Sequence, residues 1–282
     1  MNYRHAYHAG NFADVLKHVV LSLALAHLKK KDAPFRVIDT HAGIGLYDLE
    51  GEEAVKTGEW RGGIGRLLGP DVAALPAAAA GLMKPYLDAV RALNSDGVLR
   101  RYPGSPSLAL ALMRADDRLV ANELHPEDAA TLRRTLARDR RAKVLELDGW
   151  LALKAQLPPK ERRGVVLVDP PFEEPGELDR IVDGLDNARR RFSGGVYLLW
   201  YPIKDPRPVA RFHDALAKIA PPESLAIELL IRAAIGPDRL NGCGIVVLNP
   251  PFTLEADLAV LLPVLAERLS DGAGATGRIV RL

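Results

Sequence analysis

From residue 118 onward the chain alternates short apolar runs with helical segments, and no other feature constrains its fold as tightly. RLVANE (118–123), AKVLEL (142–147), GVVLVD (164–169), GVYLLW (195–200), SLAIELLI (224–231) and GIVVLN (244–249) have the length and β-branched content of buried strands. Between the first five lie segments with a helical apolar period, at 126–138, 150–156, 177–191 and 207–219. Strands alternating with helices of this length build a mainly parallel sheet covered on both faces. Right-handed connections then wind it into a doubly wound open α/β sheet. FRVID (35–39) adds one strand near the N-terminus, so seven are expected. Only about a dozen residues, rich in Gly, Pro and Asn, separate 231 from 244. They are too few for a helical crossover, so the last strand should return antiparallel.

The rhythm has one interruption. Residues 13–31 form a helical stripe through Val15, Val19 and Leu23, closed by Lys29–Lys31. From about 46 to 117 there is no convincing strand. Gly-rich turns (Arg61 to Gly65), an alanine-rich helix (72–93) and a helix opening at Pro106 fill the gap. Residues 46–117 are therefore expected to be a small helical insertion, within a main domain made of 1–45 and 118–282.

Composition narrows the class further. The longest apolar runs fall far short of the ~20 residues a bilayer-spanning helix needs. MNYRHAYHAGNF has no apolar signal-peptide core. A single cysteine, Cys243, excludes an internal disulfide framework and fits a reducing cytoplasm. A soluble cytoplasmic protein is expected, with a monomer as the default state and no membrane partner. The net charge is only +2, but Arg133, Arg134, Arg138, Arg140, Arg141 and Lys143 crowd into eleven residues opposed only by Asp139. Lys160–Arg163 and Arg189–Arg191 are further clusters, each either a solvated helix face or a phosphate-tracking surface.

Two strands end in nearly the same way: GVVLVDPPF (164–172) and GIVVLNPPF (244–252). An acid or amide, two prolines and an aromatic suit a site that grips an exocyclic amino group. Ligands in open α/β sheets sit at the carboxyl ends of parallel strands. Asp169 ends a parallel strand and should face that crevice. Asn249 ends the antiparallel strand and should emerge on the other side, so Asn249-Pro250-Pro251-Phe252 is expected to be a strand terminator.

Acids close the other parallel strands too. Asp39 precedes the turn THAGIG, Glu123 ends the next strand and Asp148 the one after. Singly, each reads more simply as a turn or helix cap; all of them at successive strand ends, together with DPPF, suggest a cofactor site. An acid after the second strand commonly holds ribose hydroxyls, and Asp148 is placed to accept from an adenine amine. Asp48 stands where a dinucleotide fingerprint wants a third glycine, which disfavours a nicotinamide oxidoreductase. Four of the seven histidines (His5, His8, His18, His27) lie in the first 27 residues, without a cysteine or convergent carboxylates, so no metal site is expected. Asp14 and His18, at i,i+4, are expected to share a hydrogen bond.

This layout resembles S-adenosyl-L-methionine-dependent methyltransferases of the Rossmann-like class I fold, and DPPF resembles their amino-methylating motif. YRHAYHAGNFADVLKH, DTHAGIGLY, YPGSP, ELHP, DGW, RRGVVLVDPPF and LLWYP together resemble the bacterial 23S rRNA (adenine-N6)-methyltransferases of the RlmJ family, collinearly over nearly the whole chain. The resemblance implies methylation of one adenine of 23S rRNA, free or in an early assembly intermediate of the large subunit. It also implies cofactor contacts from His18, His41, Ser105, Glu123, Asp148, Gly149 and Asp169. Tyr3 is implied in substrate RNA binding and catalysis, and Tyr3, Lys17 and His18 in a flap over the cofactor pocket. Phe172 stands where relatives often carry Tyr, which keeps stacking on the base and removes a hydroxyl. Asp169 is the expected catalytic residue. Two other classes stay open: an amino methyltransferase acting on DNA adenine or a protein amide, and a catalytically silent RNA-binding assembly factor.

Overall fold

The computed structural model describes residues 4–234, 236 and 239–282. After a short 3-10 turn (His5–Tyr7), the elements run α1 (Phe12–Leu28), β1 (Arg36–Asp39), β2 (Leu46–Asp48), α2 (Glu52–Thr57), α3 (Gly65–Leu68), α4 (Ala77–Ala92), β3 (Arg101–Pro103) and α5 (Ser105–Leu112). They continue with β4 (Arg118–Asn122), α6 (Pro126–Leu136), β5 (Ala142–Leu145), α7 (Gly149–Gln156), β6 (Gly164–Val168) and α8 (Glu177–Arg191). The chain closes with β7 (Val196–Ile203), α9 (Pro206–Ala217), β8 (Leu225–Leu230), β9 (Gly242–Leu248), α10 (Leu254–Leu269) and β10 (Thr276–Arg281).

The main sheet has the order β10-β8-β9-β7-β6-β1-β4-β5. Strands β5, β4, β1, β6 and β7 pair in parallel, and β9 runs antiparallel to both β7 and β8. The expected reversal of GIVVLN is therefore present. The sheet has eight strands rather than seven, because β10 adds an antiparallel edge beside β8. Its TGRIVR sequence buries no residue fully, so hydropathy alone had nothing to mark it by. Within 46–117 two three-residue strands, β2 and β3, pair antiparallel, which three residues and a proline conceal from any periodicity.

Two apolar layers cover the sheet. Alternation along β6 sends Val165 and Leu167 to one side, with α1, α4, α5 and α10, and Val166 and Val168 to the other, with α8 and α9. Helix α1 is buried almost all round, since it lies between the sheet and helices α4, α5 and α10. Asn11 caps it, its side chain accepting from the amides of Ala13 at 2.9 Å and Asp14 at 3.0 Å. A helix so enclosed carries polar residues inside only where they have partners, and Asp14, Lys17 and His18 are all buried. Among the described residues, no helix is long and apolar enough to cross a membrane.

Candidate functional site

Strand order reverses at β1, which has β4 on one side and β6 on the other. Loops leaving the carboxyl ends of β1 and β6 diverge there and open a crevice, where sheets of this kind hold ligands. A cavity of about 260 Å³ fills it. Its wall gathers His18 from α1, His41 after β1, Ser105 opening α5, Glu123 after β4, Asp148 and Gly149 at the start of α7, and Asp169 after β6. All seven positions suggested for cofactor contact thus lie on one cavity. Tyr3 falls outside the described residues. Phe172 lines a second cavity of about 420 Å³, together with Pro170 and Trp200, and Asp169, Lys17 and Pro171 belong to both walls. The DPPF aromatic has φ +52°, a left-handed conformation rare for a bulky residue, and meets Trp200 edge-on with ring centroids 5.6 Å apart.

Lys17 is the electrostatic centre of the partition. Its ammonium lies 2.8 Å from Asp14 and 2.5 Å from Asp169. Burial opposes its charge, but Asp14 and Asp169 outweigh burial and hold it well above the usual lysine range. Burial likewise opposes ionisation of Asp14, yet His5 and Lys17 keep its carboxyl well below the usual range. Asp14 also accepts from the Gly10 amide at 2.8 Å and faces His5 Nε2 at 2.9 Å. The expected Asp14–His18 bond is absent. His18 turns to the other side of α1, where its Nδ1 meets the Tyr102 hydroxyl at 2.7 Å, and that hydroxyl meets Tyr86 at 3.0 Å.

Two of the histidines on the cavity, His18 and His41, are neutral. Burial lowers His18 to about 3 and His41 to about 4. Thr40 donates its one hydroxyl hydrogen to the carbonyl of Leu167 at 3.0 Å, so His41 Nδ1, 2.9 Å from that oxygen, must be the donor. His41 Nε2 then keeps its lone pair, pressed against Gly149, where an added Cβ would sit 2.3 Å from it. Asp39 is fully buried, accepting from Ser105 Oγ at 2.6 Å; burial pushes it up to about 6, against the pull of that bond and of Lys17.

Local sequence explains how the remaining groups are aimed. Glu123 accepts from the amides of Gly43 and His125, both at 2.9 Å, which pins it at the mouth of the first turn. Gly43 has φ +60°, and a Cβ there would strike the Tyr47 hydroxyl at 2.1 Å. Asp148 caps α7 through one oxygen, accepting from Trp150 and Leu151 at 3.0 Å, and leaves the other oxygen to the cavity. Asn122 belongs to no motif in the sequence: its amide donates to the carbonyls of Thr40 and Leu147 and its oxygen accepts from the Leu147 amide, tying together the loops after β1 and β5. An amide in the last position of a buried strand was the available signal. Of the basic stretch 133–143, Arg133 pairs with Glu146, and Arg141 is held by Asp139 and the carbonyls of Met113 and Leu110.

Such a lining suits a cationic nucleoside. Acids dominate, His18 and His41 are uncharged, and His18 Nε2 is buried without a hydrogen-bond partner. Small residues at Gly43, Gly104 and Gly149 bring backbone close to whatever lies inside.

The second motif occupies the other end. Asn249 follows β9 with φ +50°, and its amide donates to the carbonyls of Ser193 at 2.8 Å and Gly195 at 2.6 Å, where β7 begins. It locks a strand end, as its antiparallel direction implied.

A family model described as Ribosomal RNA large subunit methyltransferase D, RlmJ, matches residues 32–280. The chain is 42% identical over 269 residues to Ribosomal RNA large subunit methyltransferase J of Escherichia coli (strain K12), covering 95% of this chain and 94% of that protein. The protein of the same description from Haemophilus influenzae is 41% identical over 276 residues, covering 97% and 96%. Among solved structures, protein LPL1258 of Legionella pneumophila superposes with a TM-score of 0.88 at 34% identity, over 97% of this chain and 98% of that one. A probable spermidine synthase of Corynebacterium glutamicum shares the fold alone, with a TM-score of 0.51 at 12% identity, over 94% of this chain and 74% of that one.

Proposed function

The chain belongs to the RlmJ family of large-subunit ribosomal RNA methyltransferases, and from that membership we propose that it methylates the N6 amine of one adenine in 23S rRNA, using S-adenosylmethionine. The observation that carries this reading is the shared wall. Asp169 stands between a cavity fit for a cationic nucleoside and a second one floored by Pro170, Phe172 and Trp200. S-adenosylmethionine supplies a methyl group on a positively charged sulfur that departs as a thioether.

The chain's own residues do the rest. Glu123 is placed to accept from ribose hydroxyls and Asp148 from the adenine amine of the cofactor. His18 Nε2, His41 and Ser105 line the same space, and Asp39 holds Ser105 from behind by accepting its hydroxyl. In the second cavity, Asp169 Oδ and the Pro170 carbonyl accept the two hydrogens of the target amine. That draws its lone pair out of conjugation and aims it at the neighbouring cavity. The prolines remove competing donors. Phe172 stacks on the base, which must leave its helix to enter, at a cost of a few kcal/mol. Lys17 pairs with Asp169 at 2.5 Å and orients it beside the target amine, and the proton lost after transfer passes to Asp169. Tyr3 is proposed to contact the substrate RNA, whereas Lys17 and His18 reach the site from α1, which the sheet and helices α4, α5 and α10 enclose, so these two belong to a fixed wall and not to the flap expected of them.

The test uses tritiated S-adenosylmethionine and deproteinised 23S rRNA lacking the modification, followed by nucleoside analysis. Label in N6-methyladenosine supports the proposal. Cofactor binding without label moves the substrate to DNA or protein. No cofactor binding at all favours a silent RNA-binding factor.

A further inference from the structure

The locking role of the second motif needs Asn249 and the prolines, not the aromatic that follows them. Phe252 is nevertheless 83% exposed, far more than any other large apolar side chain among the described residues. Lys30 Nζ stands 5.4 Å from its ring centroid, and His27 meets the ring edge-on at 5.4 Å. This corner is where α1 ends. Arg163 donates to the carbonyls of Leu28 and Ala33, so the turn 160–163 packs there too. Six cations, Lys29–Lys31, Lys160, Arg162 and Arg163, share their two segments with Asp32 and Glu161, of which Glu161 is engaged by Arg36; of the acids that open α10 after Phe252, Glu255 and Asp257, the first is engaged by Arg281. Among the described residues no ion pair engages Lys30, Lys31, Lys160 or Arg162. His27 adds no charge: burial first, then Lys30, Lys31 and Arg163, push its proton affinity down.

We propose that Phe252 and the lysines ending α1 form a second RNA-docking platform, on which an unpaired base stacks against Phe252 while flanking phosphates meet Lys30 and Lys31. Single-stranded RNA is held in this manner, by an aromatic face set among cations. One isolated ring amid positive charge is a poor match for a protein partner, whose contact needs a broader apolar centre. The platform lies roughly 20 Å from Lys17 along α1, at 1.5 Å per residue. It would therefore grip rRNA outside the segment that enters the cavity. The proposal rests on the RNA substrate reading above.

The experiment compares wild type, Phe252→Ala and the double variant Lys30→Glu/Lys31→Glu. Filter binding to a 23S rRNA transcript over a salt series gives Kd and its salt slope. Methyl transfer to the same RNA gives kcat and KM, and sedimentation gives the oligomeric state. Phe252→Ala should raise Kd and KM about five- to one-hundred-fold with kcat unchanged, as loss of one stacked base predicts. The double variant should also lower the salt slope by about 1.4, at ~0.7 per lost phosphate contact to a single strand. Both sites are exposed, so an unchanged melting temperature verifies folding. Wild-type affinity and salt slope in both variants would overturn the platform while leaving the methyltransferase reading intact. A change of oligomeric state in Phe252→Ala, without a change in RNA affinity, would assign the corner to a second copy of the chain. Failure of wild type to bind RNA would remove both readings together.

Discussion

Two segments of nearly identical sequence, Asp169-Pro170-Pro171-Phe172 and Asn249-Pro250-Pro251-Phe252, lie at opposite ends of one sheet's strands. Strand direction separates them: β6 is parallel to its neighbours and delivers its motif to the crevice, whereas β9 runs the other way. Their backbones differ as well. In the first the left-handed residue is Phe172, and in the second it is Asn249. Asparagine tolerates that conformation, while a phenylalanine in it carries ~1–3 kcal/mol of strain that the surroundings must sustain. Strain on the aromatic goes with a ring turned onto Trp200 beside a cavity; the tolerated left-handed turn at the asparagine goes with a locked strand end. A motif's meaning here comes from the direction in which its strand arrives.

The sharpest way to break the comparison is to remove the two polar heads in turn. Asp169→Ala should lower kcat for rRNA methylation by at least about a thousandfold, in the range seen when a proton-transfer group and its hydrogen bonds are lost together. Asn249→Ala should leave kcat within about twofold. Comparable losses in both would sink the assignment. The stability effects should run the other way. Asn249→Ala deletes two hydrogen bonds, about 0.5–1.5 kcal/mol each, and puts alanine at φ +50°, about 1–2 kcal/mol more. A loss of about 2–5 kcal/mol in urea unfolding is expected. Asp169→Ala frees Lys17 from one of its two carboxylates and should change stability less, because Asp14 still holds the ammonium.

Much of this contrast was legible before any coordinates. The alternation from 118 to 249 implied parallel strands, and the short link after residue 231 implied the reversal of β9. From those two facts the opposite placement of Asp169 and Asn249 followed. Chemistry set by distant packing was not legible. Asp14 has His18 one turn away on its helix, but the tyrosines of β3 and α4 draw His18 off and Lys17 takes its place. Asn122 looked like any strand residue until the loops it ties had positions. Strand β10 lacked an apolar face, and β2 and β3 were too short for a period. Periodicity reports burial that is regular along the chain. Polar contacts between segments far apart in sequence leave no such trace.

A smaller effect probes the aromatics. Phe172→Ala should raise KM for rRNA about five- to one-hundred-fold through the lost stack on the target base, with a fall in kcat from looser positioning. Phe172→Tyr should keep both near wild type. Because Phe252 is proposed to act on affinity alone, a fall in kcat distinguishes the ring at the cavity from the ring at the far corner. If Phe172→Ala left kcat and KM untouched, the base would have to be held elsewhere.

The gentlest test uses pH, with two histidines on the same helix. His18 faces the cavity end of α1 and His27 the Phe252 end. In the unfolded chain both take up protons below about pH 6.5. Folded His18 resists until about 3 because burial excludes its charge. The unfolded state therefore binds the extra proton across that window. The stability that neutral His18 contributes is complete above pH 6.5 and is lost as pH falls toward 3, at about 1.4 kcal/mol per pH unit. His18→Asn should flatten the acid side of the stability profile by that slope, even though it loses the bond to Tyr102 and starts from a lower value. His27 is also pushed down, by burial and by Lys30, Lys31 and Arg163, but part of it meets solvent, so His27→Asn should flatten the profile much less. Equal slopes in the two variants would mean that the cavity end of α1 is wetter than its packing implies. The neutral, partnerless His18 Nε2 would then lose its place in a site built for a cation.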